Sequence, residues 1–302
     1  MKGWILYRES GANLRPDAYE IHRLVAVAKE SGIQLEVFQP EQFELVVTRE
    51  DRKSIMIDGE VLPLPHFVLP RLGANTTYFA LAVIRHLERL GVHTINASHS
   101  IEIVRDKLYT QQILAEHNLP VPKTMLVKFP INVSLVEQQL GFPVVVKTLS
   151  GSKGNGVFLC ESRSSFMDLM EFISSTTSNA NIILQEYVAT SRGKDLRVFT
   201  IGGRVVACMK RSSLDENFKA NYSRGGLVEP YPITPEIEWL ATETSRILNL
   251  DIAGIDLLFD GEHFKICEAN SSPGFRGIEQ VAPLSIPEEI FNFVRVRLGI
   301  HA

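Results

Sequence analysis

The sequence predicts an α/β protein whose C-terminal part has α+β character. Strand-like apolar runs alternate with amphipathic helix patterns through residues 1–95, and this alternation favours a small domain with an open parallel sheet. After residue 185 the pattern changes to pairs of strands joined by glycine-containing turns, which is typical of antiparallel hairpins. A chain of 302 residues is too long for one ordinary core, so more than one domain is expected.

The composition is that of a globular protein, with 45% hydrophobic and 22% charged residues. A net charge of −4 gives no basic surface for nucleic acid, so nucleic-acid binding is not expected. Cys160, Cys208 and Cys267 are far apart and lie in apolar runs, which predicts buried free thiols. No apolar segment approaches the length of a signal-peptide core or a membrane span, so we expect no membrane association and a cytoplasmic location.

The first part of the chain is predicted to form a strand at 3–7, a helix at 16–31, a strand at 33–38, a hairpin at 54–62, a strand at 67–69, a helix at 76–90 and a strand at 92–95. The segment Pro70-Arg71-Leu72-Gly73 follows a buried strand, where open α/β sheets place ligand loops. Arg71 is therefore either a carboxylate-binding residue or a solvated residue at a strand end. The sequence supports the two interpretations equally.

The middle of the chain carries two candidate phosphate-binding lysines. A helix is predicted from Ser98 to His117, and its triplet Arg105-Asp106-Lys107 reads, on the pattern alone, as a solvated face. A short helix at 135–140 precedes the strand Phe142–Lys147, whose three valines predict burial. A lysine that closes such a strand must reach solvent or an anion, so Lys147 is a candidate anion-binding residue.

The loop S-G-S-K-G-N-G at 150–156 separates this strand from the next, at 157–160. Its glycines can present backbone N–H groups to phosphate oxygens. The loop is not a P-loop, because it lacks G-K-[ST] and precedes a strand rather than a helix, and the same succession excludes a Rossmann fingerprint. Taken alone the signal is weak, because glycine-rich loops also form ordinary hairpins.

The remaining predicted elements are a helix at 162–176, a strand at 181–188, a strand pair at 195–208 around Gly202-Gly203, a polar loop at 218–226, a helix at 235–249 and a last helix at 287–298. The strand at 181–188 is apolar except for Gln185 and Glu186, which are polar in a buried run. Either these two side chains are solvated at a sheet edge or they face a ligand.

Three oxygen-bearing side chains, Asp256, Glu268 and Asn270, lie on or beside the apolar strands of residues 254–274. Burying unpaired carboxylates is costly, so they require either basic partners or a cation. Hard divalent cations take such oxygens, and the spacing of Asp, then Glu-x-Asn, then Ser-Ser-Pro-Gly favours a metal site over simple ion pairs.

The metal interpretation makes a prediction about strand register. A two-residue turn at Asp260-Gly261 would set Asp256 opposite Lys265 and send Glu268 to the other face of the sheet. We therefore expect either a three-residue connection, which pairs Asp256 with Glu268, or a turn at Asp260-Gly261 whose register is corrected by a bulge. In both cases Leu257 and Cys267 are expected on the opposite, buried face.

The stretch ending E-A-N-S-S-P-G resembles the magnesium-site strands of the ATP-grasp ligases and is most similar to the RimK-type α-L-glutamate ligases. The resemblance extends over nearly the whole chain, through R-D-K, the lysine-ended strand, the glycine loop, Q-E-Y and D-L-R. It implies an ATP-grasp fold preceded by a pre-ATP-grasp domain. The expected domains are residues 1–95, a central subdomain at 96–184 and a C-terminal subdomain at 185–302.

The resemblance also implies roles for individual residues. The expected metal ligands are Asp256, Glu268 and Asn270, and the expected catalytic residues are Arg211, Lys147 and Asn270. The expected nucleotide-binding residues are Lys107, Lys147, Ser150, Gly151, Gly154, Gly156, Glu186, Tyr187, Asp195, Arg197, Lys219 and Asn221. The expected substrate-binding residues are Arg71, Arg224 and Arg276.

The implied activity is ATP-dependent amide formation through an acyl phosphate, with two Mg²⁺ ions that Mn²⁺ can replace. The implied substrates are glutamate and a carboxylate acceptor such as a peptide or a protein C-terminus, and a homo-oligomer is compatible with the resemblance. The alternatives are a ligase of the D-alanine–D-alanine or glutathione synthetase kind, and a non-catalytic nucleotide-binding regulatory protein. Ser212 and Arg276 depart from the family's pattern, where a second arginine and an acidic residue are expected, and both bear on the acceptor.

Overall fold

The structure is a computed structural model that describes residues 1–49, 54–73, 76–148, 156–176, 181–214 and 226–300. Within these ranges the strands are β1 (Lys2–Leu6), β2 (Gln34–Phe38), β3 (Phe43–Leu45), β4 (Ile55–Ile57), β5 (Phe67–Pro70), β6 (His93–Thr94), β7 (Thr124–Val127), β8 (Val144–Thr148), β9 (Val157–Cys160), β10 (Ile182–Glu186), β11 (Lys194–Ile201), β12 (Arg204–Ser212), β13 (Leu227–Pro230), β14 (Ile252–Asp260) and β15 (His263–Asn270). The α-helices are α1 (Tyr19–Glu30), α2 (Tyr78–Arg89), α3 (Ser98–Arg105), α4 (Lys107–Glu116), α5 (Val133–Gln139), α6 (Arg163–Thr176), α7 (Pro235–Ile247), α8 (Arg276–Val281) and α9 (Ile286–Arg297). No helix in the described ranges has both the length and the apolar character needed to cross a membrane.

The N-terminal sheet has the order β2-β1-β5-β6 and is parallel throughout, as the alternation of strands and helices predicts. The predicted hairpin at 54–62 does not form. Asp58 and Gly59 do make a tight turn with positive φ, but β4 pairs with β3, and a single bridge joins Ile57 to Glu60. The prolines that follow, Pro63 and Pro65, lack the N–H donors that a second hairpin strand would need.

The predicted single helix from Ser98 to His117 is in fact two helices that meet at Asp106. The backbone of Asp106 is extended, with φ −91° and ψ 105°, and its carboxylate accepts from the N–H groups of Leu108 and Tyr109, both at 3.0 Å. Asp106 therefore caps α4. The triplet at this point is a helix boundary rather than a continuous solvated face, and Lys107 is the first residue of the new helix.

The two other main sheets are antiparallel. The central sheet has the order β7-β10-β8-β9, and α5 and α6 pack on one of its faces around Val144, Phe166 and Ile182. The C-terminal sheet has the order β13-β12-β11-β14-β15. Helix α7 covers one face of this sheet, where Leu240 and Leu257 are fully buried. The domain boundaries proposed above stay a prediction.

In the last hairpin, formed by β14 and β15, Asp256 pairs with Glu268 as predicted. The turn is a two-residue connection at Gly261 and Glu262, because Asp260 pairs with His263. That turn alone would place Glu268 on the wrong face, but the register shifts between Asp256 and Leu257, so that Asp256 pairs with Glu268. The bulge is confirmed, whereas the three-residue connection is wrong. The predicted position of the tight turn is also wrong, because the turn lies at Gly261-Glu262 and not at Asp260-Gly261.

A buried asparagine joins the N-terminal and C-terminal parts of the molecule. Asn96, which is completely buried, donates from Nδ2 to the carbonyl oxygens of Ile252 and Ser271, both at 2.7 Å. Its Oδ1 accepts from the Ile252 N–H at 2.9 Å. These bonds attach the segment after β6 to the first residue of β14 and to the loop that follows β15. The loop that carries part of the cavity wall is thereby fixed to the N-terminal sheet.

Asn96→Ala should destabilise the protein, because it leaves three buried backbone groups without their partner. Each such group costs about 1–3 kcal/mol, so we expect the free energy of unfolding to fall by roughly 3 kcal/mol or more. Urea denaturation followed by circular dichroism measures the change. The matched control is Asn292→Ala on the exposed face of α9, which should leave the midpoint nearly unchanged. Equal midpoints for the two variants would contradict this role of Asn96.

Candidate active site

A cavity of about 1170 Å³ opens between the three main sheets. The predicted site residues that line it are Arg71, Lys107, Lys147, Glu186, Tyr187, Asp195, Arg197, Arg211, Asp256, Glu268, Asn270 and Arg276. Six predicted residues lie outside the described residues, namely Ser150, Gly151, Gly154, Lys219, Asn221 and Arg224. Gly156 is described: its φ of +72° is a conformation that favours glycine, and its carbonyl accepts from the Thr148 N–H at 2.8 Å.

The three predicted metal ligands share one face of the C-terminal sheet. Asp256 lies directly across from Glu268, and Asn270 follows two residues later on β15. Among the described residues, the Glu268 carboxylate has no hydrogen-bond or ion-pair partner. Asn270 donates from Nδ2 to the Gly254 carbonyl at 3.2 Å, which fixes the amide and leaves Oδ1 as an available acceptor. The cavity therefore receives two uncompensated oxygen ligands from β15.

Asp256 belongs to a buried network of two arginines and two aspartates. Arg197 donates to both of its carboxylate oxygens, at 2.7 Å each, and Arg211 lies 3.0 Å from Oδ2. Arg211 also forms a two-point pair with Asp195, at 2.6 and 2.7 Å. Arg211 is 4% exposed and Asp256 5% exposed, so each charge depends on the others for compensation.

The pKa values of the two carboxyls respond to this arrangement in opposite directions. Burial alone would raise the pKa of Asp256, but the guanidiniums of Arg197 and Arg211 hold it below its ordinary value. At Asp195 burial is the larger effect and raises the pKa to about 6, although Arg211 opposes the rise. Asp256 is therefore ionised at neutral pH, with both its oxygens already accepting from Arg197.

Lys147 is held by groups that the sequence interpretation did not connect with it. Its Nζ donates to Gln185 Oε1 at 2.5 Å, and Gln185 in turn donates to the Thr124 hydroxyl at 2.9 Å. The Cys267 sulfur lies 3.7 Å from the same Nζ. These contacts orient the ammonium group toward the cavity, as an anion-binding role requires.

Cys267 lies on the cavity side, so its predicted place on the opposite face is wrong, whereas Leu257 is fully buried there as predicted. The physical reason is the bulge. Two residues, Cys267 and Glu268, oppose Asp256, and strict alternation is lost between them. Burial raises the pKa of the Cys267 thiol, although the nearby Lys147 opposes the rise, so the side chain is a neutral thiol at pH 7.

Two residues of the cavity lining each carry a buried polar atom without a partner among the described residues. The two atoms are the Tyr187 hydroxyl and Oε1 of Gln111. The Nε2 group of Gln111 donates to the Cys267 carbonyl at 2.9 Å, so its amide orientation is fixed. Sequence reasoning missed Gln111, although it lies four residues after Lys107 and therefore on the same face of α4. Glu186 accepts from Lys265 at 2.6 Å.

Two family models match most of the chain. A model described as the RimK pre-ATP-grasp domain matches residues 4–101, and one described as the RimK-like ATP-grasp domain matches residues 104–294. The chain belongs to the RimK-like ATP-grasp family. The resemblance inferred from the sequence is thus confirmed. Family membership makes the protein an ATP-dependent ligase that forms C–N bonds.

Named relatives span almost the full length of the chain. The probable alpha-L-glutamate ligase of Legionella pneumophila (strain Corby) is 34% identical over 282 residues, which are 92% of each protein. The probable alpha-L-glutamate ligase 1 of Shewanella amazonensis (strain ATCC BAA-1098 / SB2B) is 35% identical over 280 residues, again 92% of each.

Solved structures establish the fold. The ATP-grasp ligase PsnB, in complex with a phosphomimetic minimal precursor, Mg and ADP, aligns with a TM-score of 0.75 at 18% identity, covering 98% of each chain. D-alanine–D-alanine ligase from Bacillus anthracis aligns with a TM-score of 0.65 at 16% identity, covering 99% of each. The predicted ATP-grasp fold with its preceding α/β domain is confirmed.

Arg211→Met should destabilise the protein, because it leaves Asp195 without its guanidinium partner and removes one of two from Asp256. Breaking a buried pair on one side costs about 3–5 kcal/mol of unfolding free energy. The double variant Arg211→Met/Asp195→Leu should recover part of the loss, because it removes the stranded carboxylate as well. Urea denaturation measures both. Arg246→Met, which breaks a surface pair with Glu243, is the control and should have little effect. No recovery in the double variant would contradict the pairing.

Proposed function

We propose that this ligase joins the amino group of glutamate to the carboxylate of a peptide, a protein C-terminus or a small acceptor. The observation that carries the proposal is the convergence in one cavity of the cations Lys147 and Arg211 with the uncompensated oxygens of Glu268 and Asn270. Phosphoryl transfer requires positioning and charge neutralisation more than covalent help from the protein, and this cavity supplies both.

In the proposed reaction, an oxygen of the acceptor carboxylate attacks the γ-phosphorus of ATP, and ADP leaves as the acyl phosphate forms. The neutral amine of glutamate then attacks the acyl carbon, the amide bond forms, and phosphate leaves with the electrons of the broken C–O bond. Lys107 and Lys147 bind phosphate oxygens in this scheme. Arg211 stabilises the transferring phosphoryl group and afterwards the tetrahedral oxyanion. The Tyr187 hydroxyl and the Gln111 amide offer polar contacts to the nucleotide.

The donor set on the C-terminal sheet fits Mg²⁺, which prefers carboxylate and carbonyl oxygens. Glu268 and Oδ1 of Asn270 are uncompensated among the described residues and lie at the cavity wall. Asp256 shares their face, but both its oxygens already accept from Arg197. We propose that these residues hold two ions, for which Mn²⁺ can substitute. Bound there, the metal supplies charge neutralisation for the phosphates.

The choice of glutamate rests on the relatives, which are named α-L-glutamate ligases and match over most of their length. A peptide acceptor is supported by PsnB, whose structure contains a minimal precursor, and by the macrocyclase MdnC, which was solved with its precursor peptide MdnA. The D-alanine–D-alanine ligase is similar in fold at 16% identity and gives no support for its own substrate. A regulatory protein without catalysis is disfavoured because the polar residues of the cavity are retained.

Asp256→Asn and Glu268→Gln should each reduce ADP formation by on the order of a hundredfold or more. The reason is that each removes a negative charge that attracts the Mg²⁺ counter-ion of the phosphates. They should also weaken the Mg²⁺ dependence of nucleotide binding, measured by calorimetry with ADP at several magnesium concentrations. The control is Glu262→Gln in the exposed turn of the same hairpin, which should behave as wild type. Near-normal turnover in both site variants would contradict the assignment of the ligands.

The substrate proposal is tested by measuring ADP release with wild-type enzyme across the amino acids, each combined with dipeptide and longer peptide acceptors. Glutamate is expected to give the largest acceptor-dependent release. Preference for D-alanine, or for glycine with a γ-glutamyl dipeptide, would support the other ligase kinds. No release with any pair would support the regulatory alternative.

A further inference from the structure

The end of the cavity next to the N-terminal sheet carries charges that the phosphate chemistry does not use. We call this end the N-terminal arm and define it by Glu20, Arg71, Arg276 and the loop 272–274. The arm lies at the C-terminal ends of the parallel strands β1 and β5, where open α/β sheets place their ligands. It is continuous with the part of the cavity that contains Lys147 and Glu268.

Arg71 is the deepest charge of the arm. Its Nη2 donates to the Pro273 carbonyl at 2.6 Å, and its guanidinium carbon lies 5.8 Å from the centre of the Phe275 ring. Burial lowers the pKa of Arg71 below its ordinary value, although Glu20 and Tyr7 oppose this. Among the described residues no carboxylate lies within ion-pair distance of its guanidinium. A fixed, desolvated guanidinium with spare donors requires an anion for full compensation.

Arg276 is a second cation that makes no ion pair among the described residues, and its guanidinium lies against an aromatic ring. Its guanidinium carbon lies 5.5 Å from the centre of the Tyr19 ring. The Tyr19 hydroxyl donates to Glu279 at 2.7 Å, and Arg23 holds the same carboxylate in two-point contact. Tyr19 is therefore a rigid support. Across the described ranges Arg276 makes no hydrogen bond or ion pair, and its side chain is exposed at the mouth of the arm.

Glu20 adds one negative charge to the arm. Its Oε1 accepts from the Phe275 N–H at 3.2 Å, and Oε1 would lie 3.0 Å from a Cβ built on Gly274. A side chain at position 274 would therefore contact the Glu20 carboxylate tightly, and Glu20 would have to shift slightly. Within the described part of the chain no lysine or arginine forms an ion pair with Glu20. The arm thus combines two guanidiniums that form no ion pair among the described residues with one carboxylate that has a single backbone donor.

We propose that the N-terminal arm binds the incoming free amino acid and selects a dicarboxylic one. Arg71 binds the α-carboxylate, Arg276 binds the side-chain carboxylate at the mouth, and Glu20 attracts the ammonium group. The inference rests on the proposed function, because it takes glutamate as the amine substrate. Glutamate carries two carboxylates and one ammonium at neutral pH, and the arm presents the complementary set of charges.

The different burial of Arg71 and Arg276 decides which carboxylate of the amino acid each arginine binds. Arg71 contacts the loop that follows Asn270 and the metal-site strand, so a carboxylate on Arg71 keeps the neighbouring α-amino group toward the reaction end of the cavity. Arg276 is exposed at the mouth of the arm, so it takes the side-chain carboxylate, which is the group farther from the reacting amine. A neutral side-chain amide would leave Arg276 without its anion, so the arm discriminates glutamate from glutamine.

The test is calorimetric titration of glutamate and of glutamine into the full-length enzyme in the presence of ADP and Mg²⁺, which requires no knowledge of the acceptor. The wild type should bind glutamate at least about tenfold more tightly than glutamine. Arg276→Gln should weaken glutamate binding by about tenfold or more and leave glutamine binding unchanged. Arg71→Gln should weaken the binding of both amino acids by a similar factor.

Two controls keep the outcome interpretable. ADP affinity and the thermal midpoint should remain those of the wild type in both variants, and Arg246→Gln on the surface of α7 should bind glutamate normally. If wild type binds glutamate and both arginine variants bind it equally well, the assignment of the arm is wrong while the proposed function stands. If Arg276→Gln weakens both amino acids alike, the discrimination is wrong. If wild type does not bind glutamate, the arm proposal and the glutamate proposal both fail.

Discussion

The bulge at Cys267 is the constraint on which the candidate active site depends. The tight turn of the last hairpin, at Gly261 and Glu262, would by itself pair Asp256 with Cys267 and turn Glu268 away from it. One extra residue in β15 restores the pairing of Asp256 with Glu268 and keeps Asn270 on the same face. The oxygen ligands meet because the strand has an irregularity, and the fully buried Leu257 on the opposite face makes a slip of register costly.

The buried network of two arginines and two aspartates determines which oxygens on this face of the sheet remain available. Arg197 and Arg211 neutralise Asp195 and Asp256, so four charges lie under the cavity floor without a net excess. The oxygens left available are then those of Glu268 and Asn270, and Lys147, which Gln185 holds, adds a cation to the same cavity. The cavity lining therefore contains charges that are paired with one another and oxygens that have no partner among the described residues.

The two ends of the cavity are lined by different sets of residues. One end, with Lys107, Lys147 and the metal-site strands, contains the groups that phosphoryl transfer requires and that family membership leads one to expect. The other end is built from the N-terminal domain and from the loop after β15. Asn96 fixes that loop to the first residue of β14, and Ser272 donates to the Pro70 carbonyl at 2.8 Å.

The sequence by itself determined the fold class, the family resemblance and many of the charged residues that line the cavity, because alternation of apolar residues and motif spacing are local properties of the chain. It also required Asp256 and Glu268 to share a face. Tertiary structure alone decided the rest. It divided the helix at Asp106, turned Cys267 into the cavity, linked Lys147 to Gln185 and left Arg71 and Arg276 without carboxylates. These outcomes depend on which side chains from distant segments meet in a low-dielectric interior, and no local pattern encodes that meeting.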